Sequence, residues 1–181
     1  MTRDRDPAGR PRNARPRDPL GRPLDRAAPE AGQPGADQAP MPDDLVITGS
    51  DAATLADQLL GEGRPFHAHE VLEAAWKSGP PGERDLWQGL AQMAVGLTHA
   101  RRGNARGAVA LLRRGAQRVR AHQDQPGPPA GAERDHPYGM DIPAVLAAAD
   151  DLAARIERHG LGDIPPADLA PRLLAAAGHD R

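Results

Sequence analysis

Where the prolines and glycines fall is what most limits the fold of this chain. From residue 45 onward they gather in short clusters, and between the clusters the apolar residues recur at helical spacing. Ser50 or Asp51 is expected to cap a first helix through Leu60, closed by Gly61 and Gly63. Pro65 suits the first turn of a second helix, which runs to Lys77 and stops before Gly79-Pro80-Pro81. A third spans Gly82 to Arg102 and ends at Gly103. Asn104 caps a fourth, to His122, and Asp141 with Pro143 opens a fifth, through His159. A short sixth is expected between Pro166 and Ala177. Strand-like alternation is absent apart from Leu45-Val46-Ile47. The spacing predicts an all-α fold: a compact bundle of about five to six helices, arranged as antiparallel helical hairpins.

Composition supports that reading and divides the chain. The sequence holds 34 alanines, 20 glycines and 20 prolines among 181 residues, but two Trp, one Tyr and one Phe. So few aromatic residues argue against a large β-sandwich or barrel. Residues 1–44 carry nine prolines and eight arginines interleaved with eight acids, with Leu20 and Leu24 as their largest aliphatics. Such a segment buries too little apolar surface to offset chain entropy and is read as a disordered tail. Residues 45–181 form the helical domain, with a breaker-rich loop at 125–137. The absence of cysteine excludes disulfides and thiolate chemistry. No apolar run is long enough for a membrane span, so a cytoplasmic protein without a membrane partner is expected. A net charge of -2 exerts no general pull on nucleic acid.

Polar residues on two helices stand out from this plain background. On the second helix Phe66, His69, Glu73 and Trp76 share one side, with Glu70 at its edge, while Ala68, Val71 and Ala75 share the other. A helix apolar on both sides is expected to be central, which would bury His69 and Glu73 together. The third helix has no charged residue from Leu86 to Ala100. Its Gln88, Gln92 and His99 line up with Val95, opposite a stripe of Leu86, Leu90, Met93 and Leu97. An uncharged hydrogen-bonding face is expected to be buried or to line a cleft, and to meet the His69/Glu73 face. Gly89, Gly96 and Ala100 allow close approach of a neighbouring helix. Around the fourth helix Arg102, Arg106, Arg113 and Arg120 recur on one face, with Arg101, Arg114 and Arg118 nearby and no acid between Asp85 and Asp124.

These residues carry a resemblance. Phe66-His67-Ala68-His69-Glu70-Val71-Leu72-Glu73 followed by Trp76 resembles the first signature of domain-of-unknown-function family 309. Gln88 to Gln92, His99, Arg102-Gly103-Asn104, Gly107-Ala108 and Leu111-Leu112 resemble its second, and Tyr138-Gly139-Met140-Asp141 a later Gly-x-Asp element. The resemblance spans about residues 50–145 and implies a small all-helical bundle, of a kind found in bacteria and plastids. It implies no reaction.

Three functions follow from these features. The leading one is a non-catalytic binding or interaction module, for an unidentified protein or small molecule, built around a buried polar cluster of His69, Glu70, Glu73, Trp76, Gln88, Gln92 and His99. The second is a small enzyme or a divalent-metal protein using His69, Glu73 and His99, since His and Glu four apart on a helix have ligand spacing. The string His-Glu-x-x-Glu departs from the zincin motif, which needs a second His at Glu73. No nucleophile accompanies the cluster, and the same residues also suit a hydrogen-bonded structural network. The third is phosphate or RNA binding through the Arg101–Arg120 face, where no aromatic residue interleaves to stack on bases.

Overall fold

The computed structural model describes residues 46–126 and 132–175. The tail at 1–44 and part of the 125–137 loop lie outside them. Six α-helices follow in order: α1 (Gly49–Gly61), α2 (Pro65–Ser78), α3 (Arg84–Arg101), α4 (Ala105–Gln123), the short α5 (Ala132–Asp135) and α6 (Ile142–His159). Among the described residues there is no β-strand, and the fold is all-α as the spacing predicts. The long helices pack in sequence, α1 on α2, α2 on α3, α3 on α4, and α4 on α6. Short turns between consecutive helices favour antiparallel hairpins.

Local chemistry explains the boundaries. Thr48, rather than Ser50 or Asp51, caps α1: its Oγ1 accepts from Asp51 N–H at 3.2 Å and donates to the Asp51 carboxylate at 2.7 Å. Asn104 and Asp141 cap α4 and α6 as expected, accepting from the N–H of Gly107 and of Ala144. A 3₁₀ turn at Pro81–Glu83 delays α3 to Arg84. The 125–137 stretch is not all loop, since α5 and a 3₁₀ turn at Pro137–Gly139 occupy its end.

The central helix is α3. It buries eleven residues, including Leu86, Trp87, Leu90 and Leu97, and its small residues meet α4 backbone to backbone. A Cβ on Gly89 would stand 2.6 Å from Val119 Cγ2 and 2.8 Å from the Gly115 carbonyl oxygen, and one on Gly115 would stand 2.6 Å from the Gly89 oxygen. The two glycines make this the tightest crossing in the bundle, where no side chain fits.

The expected sixth helix does not form. After α6 the chain makes a 3₁₀ turn at Pro166–Leu169 and then runs extended, with Leu174 bridged to Met140. Asp57 on α1 explains the departure. Its carboxylate, 4% exposed, accepts from Arg172 Nη2 at 2.5 Å, from Leu173 N–H at 2.6 Å and from Leu174 N–H at 3.2 Å. Backbone N–H groups held by a side-chain acceptor are withdrawn from helix formation. Leu173 is thereby drawn into the core.

A second knot lies near the start of α3. Glu83 accepts from the indole N–H of Trp87 at 2.9 Å and from the Tyr138 hydroxyl at 2.7 Å. The Trp87 and Tyr138 rings lie 5.4 Å apart. Tyr138 holds φ 57° and ψ 26°, a left-handed conformation that is uncommon outside glycine. Its ring lies against Gly49, leaving no room for a side chain there. Burial, with Glu83 beside it, pushes the phenol up to about 12.

Candidate functional site

The side of α2 that enters the core is Ala68, Val71, Leu72 and Ala75, joined by His67. The expectation of a central α2 is therefore corrected: Phe66, His69, Glu70, Glu73 and Trp76 lie on its partly exposed side. The reason is positional. α2 packs on α1 and α3 from one side, so one of its two apolar faces is left over, and the face of small aliphatic residues packs closer.

On the outward side His69, Glu73 and Lys77 form a ladder at i, i+4 spacing. His69 Nδ1 lies 3.0 Å from the Phe66 carbonyl oxygen, to which it donates. Its Nε2 lies 3.4 Å from Glu73 Oε2, and Lys77 Nζ stands 3.0 Å from Glu73 Oε1. The side chains of His69 and Glu73 are 23% and 36% exposed, so the pair is a half-exposed feature and not a buried one. With Nδ1 committed to a carbonyl, a neutral His69 turns the Nε2 lone pair toward a carboxylate. Two acceptors facing each other suit a cation between them. The Phe66 ring sits 5.4 Å from the His69 ring, and Trp76 packs against the core with part of its surface open.

On α3, Gln88, Gln92, Val95 and His99 form the least buried face of an otherwise enclosed helix. The Oε1 of Gln92 is buried with no donor in reach. No described hydrogen bond joins this face to His69 or Glu73, whose polar partners all lie on α2. His99 belongs instead to the α3–α4 turn. Asn104 Oδ1 is taken by the Gly107 N–H, so its Nδ2 is the donor to His99 Nδ1 at 2.8 Å. That bond leaves the proton of a neutral His99 on Nε2.

The sequence candidates thus separate into two groups. His69, Glu70, Glu73 and Trp76 stay together on α2. Gln88 and Gln92 share the half-buried side of α3, while His99 caps the hairpin turn. Among the described residues no three His, Asp or Glu side chains converge on a point that could hold a metal ion, so the triad of His69, Glu73 and His99 is not assembled. The bundle has an apolar cavity of about 40 Å³ between α3, α6 and the C-terminal segment, lined by residues such as Leu90, Met93, Leu97, Leu152 and Leu173.

Three of the seven arginines of the Arg101–Arg120 stretch are paired with carboxylates. Arg118 pairs with Asp85 at 2.8 Å, Arg113 with Glu157 at 2.5 Å, and Arg120 with Asp150. Arg101 turns away from α4 and packs against Gly63.

Several polar anchors carry no sequence signal of their own. Asp57, Glu83 and Tyr138 work across long separations, and so does His122. That histidine is buried, its Nδ1 is bonded to the Gly82 carbonyl oxygen at 3.2 Å, and burial lowers its pKa.

The bundle and its outward His/Glu ladder define a small helical domain, and comparison with known proteins agrees. Residues 55–111, from within α1 to within α4, match the family described as Domain of unknown function (DUF309). The matched segment contains His69, Glu70, Glu73, Trp76, Gln88, Gln92 and His99 and ends before Arg113 and Tyr138–Asp141. A 48-residue stretch is 48% identical to "Uncharacterized protein YpuF" of Bacillus subtilis (strain 168), and covers 26% of this chain and 28% of that protein. The chain therefore spans about a quarter of that relative's length. No solved structure matches. Among the described residues, no helix is long and apolar enough to cross a membrane.

Proposed function

We propose that this chain is a non-catalytic binding module whose working surface is the outward side of α2, with His69, Glu70, Glu73 and Trp76 as its contact residues. One observation carries the reading: a histidine and a carboxylate that the core does not use are held in register, between two partly open aromatic side chains, on the accessible side of a helix. A surface that served solubility alone would not place Phe66 and Trp76 there. The partner is a protein segment or a small molecule that offers a hydrogen-bonding group to the ladder and apolar surface to the rings. Photo-crosslinking from a benzophenone residue at position 74 in the producing cell tests this. A discrete adduct is expected, lost on His69→Ala and Glu73→Gln while both variants keep their folding stability within about 1 kcal/mol. An adduct unaffected by both substitutions overturns the proposal.

A second reading is favoured by the Nε2 lone pair aimed at Glu73: a divalent metal held by His69 and Glu73, with the remaining ligands from a partner or solvent. Elemental analysis of tag-free protein tests it. Stoichiometric metal lost in His69→Ala supports it, and its absence from the wild type removes it.

A further inference from the structure

Between α1 and α2 the chain reads Gly61-Glu62-Gly63-Arg64-Pro65. Arg64 takes the N-cap of α2, where a short side-chain acceptor is the rule. A guanidinium has no acceptor, and Arg64 makes no capping bond. Its side chain is 9% exposed. Nη1 lies 3.3 Å from Glu62 Oε2, but Nε and Nη2 are buried with no hydrogen-bond partner.

A second arginine reaches the same turn from the end of α3. The Arg101 guanidinium packs against Gly63, where a Cβ would fall 2.9 Å from Nη2 and 3.1 Å from Nη1. Arg101 makes no ion pair among the described residues, and its Nε is also buried without a partner. Burial lowers its pKa, which marks the cost of keeping a cation there uncompensated.

The turn at the positive end of a 14-residue helix therefore carries Arg64 in its own sequence and the Arg101 guanidinium packed on Gly63. Glu62 is the carboxylate that meets Arg64. It is 41% exposed and also accepts from Gln58 Nε2 at 2.8 Å, so it offsets part of one charge. Arginine cannot shed its proton to escape the penalty, and a buried N–H without an acceptor is costly. An acceptor from outside the fold relieves it. A monocarboxylate has oxygens for one fork. A phosphate has oxygens for both, with more left for the first turn of the helix.

We propose that Arg64, Arg101 and the start of α2 form a binding site for a phosphate group, either the free ion or the monoester of a small metabolite. The site uses none of the contact residues assigned to the outward side of α2, so either reading can fail alone. The test is a titration of the full chain with inorganic phosphate and, in parallel, with methyl phosphate, the ionic strength being held with sodium chloride. It is followed by the arginine Nε–Hε signals in ¹⁵N-resolved NMR. Saturable shifts of the Arg64 and Arg101 signals, with Arg113 unmoved, are expected, and the tighter titrant names the source. Arg101→Gln is expected to weaken binding about tenfold or more, as the loss of charge-assisted hydrogen bonds requires. The proposal is overturned if neither titrant moves the two signals saturably, if Arg113 shifts in parallel, or if Arg101→Gln binds phosphate as the wild type does. The NMR readout on the wild type stands even where Arg64→Gln does not fold.

Discussion

Asp57 shows how much one side chain can decide. It accepts long-range hydrogen bonds from three residues and turns a sequence stretch of helical character into an extended segment laid along the bundle. Burial pushes its carboxyl up. The Arg172 hydrogen bond and the Leu173 and Leu174 N–H groups outweigh that and hold it below the usual 3.8. A group whose folded pKa is depressed adds stability above its unfolded pKa and loses it as pH falls through the folded value. The Asp57 contribution is thus complete above about pH 4 and disappears at more acid pH. Asp57→Ala leaves two backbone N–H groups without their acceptor and is expected to cost about 2–3 kcal/mol in urea denaturation at neutral pH. The variant should also show a shallower loss of stability below pH 4. The same side chain could not be singled out from the sequence, because its partners stand more than a hundred residues away. His69 and Glu73 were legible for the opposite reason: four residues apart on one helix, they meet whatever the tertiary structure does.

Helices and their crossings follow a different logic. Starts and stops were legible to within a few residues, since caps, prolines and glycines act locally; the shift of the α1 cap to Thr48 is a local matter too. That some helix approaches α3 closely was also legible, as small residues at Gly89 and Gly96 have no other reason to interrupt an apolar helix; that the neighbour is α4 comes from the structure. The structure adds the reciprocal position, Gly115. Gly89→Ala is expected to destabilise by about 1–3 kcal/mol, because the methyl group meets backbone and Val119 with nowhere to shift. Gly61→Ala, with open space around it, should leave stability unchanged or slightly raise it; comparing the two midpoints by thermal denaturation checks the pair. Which face of α2 turns inward was not legible. Both of its faces are apolar enough, and the choice belongs to α1 and α3.

At the scale of the molecule, charge is managed by pairing. Arg113 and Arg120 of α4 are answered by Glu157 and Asp150 of α6 and Arg118 by Asp85, so a run that reads as basic along the chain is partly offset in space. Such exposed pairs contribute little stability each, but they weaken the field a polyanion would feel. Fluorescence anisotropy with single-stranded RNA at physiological salt is accordingly expected to show no saturable binding through this face. Glu157→Gln with Asp150→Asn should increase nonspecific binding at low salt. Buried His122 adds a second pH response. Its pKa is lowered by burial, so the unfolded chain takes up its proton first, and stability declines as pH falls below 6.5. Replacement by a neutral residue of similar size should flatten the stability profile between that pH and the onset of the Asp57 effect.

The sequence by itself determined the class of this protein, the boundaries of its long helices to within a few residues, the small-residue stripe that admits a close neighbour on α3, and the His69/Glu73 register, all of which depend on residues close along the chain. Only the tertiary structure decided that the register faces outward, that His99 serves the α3–α4 turn, that Asp57 and Glu83 hold distant segments, and that Arg64 and Arg101 share one turn. Those outcomes rest on contacts between residues far apart in sequence, and helical periodicity, which reports on one helix at a time, does not encode which helix its neighbour will be.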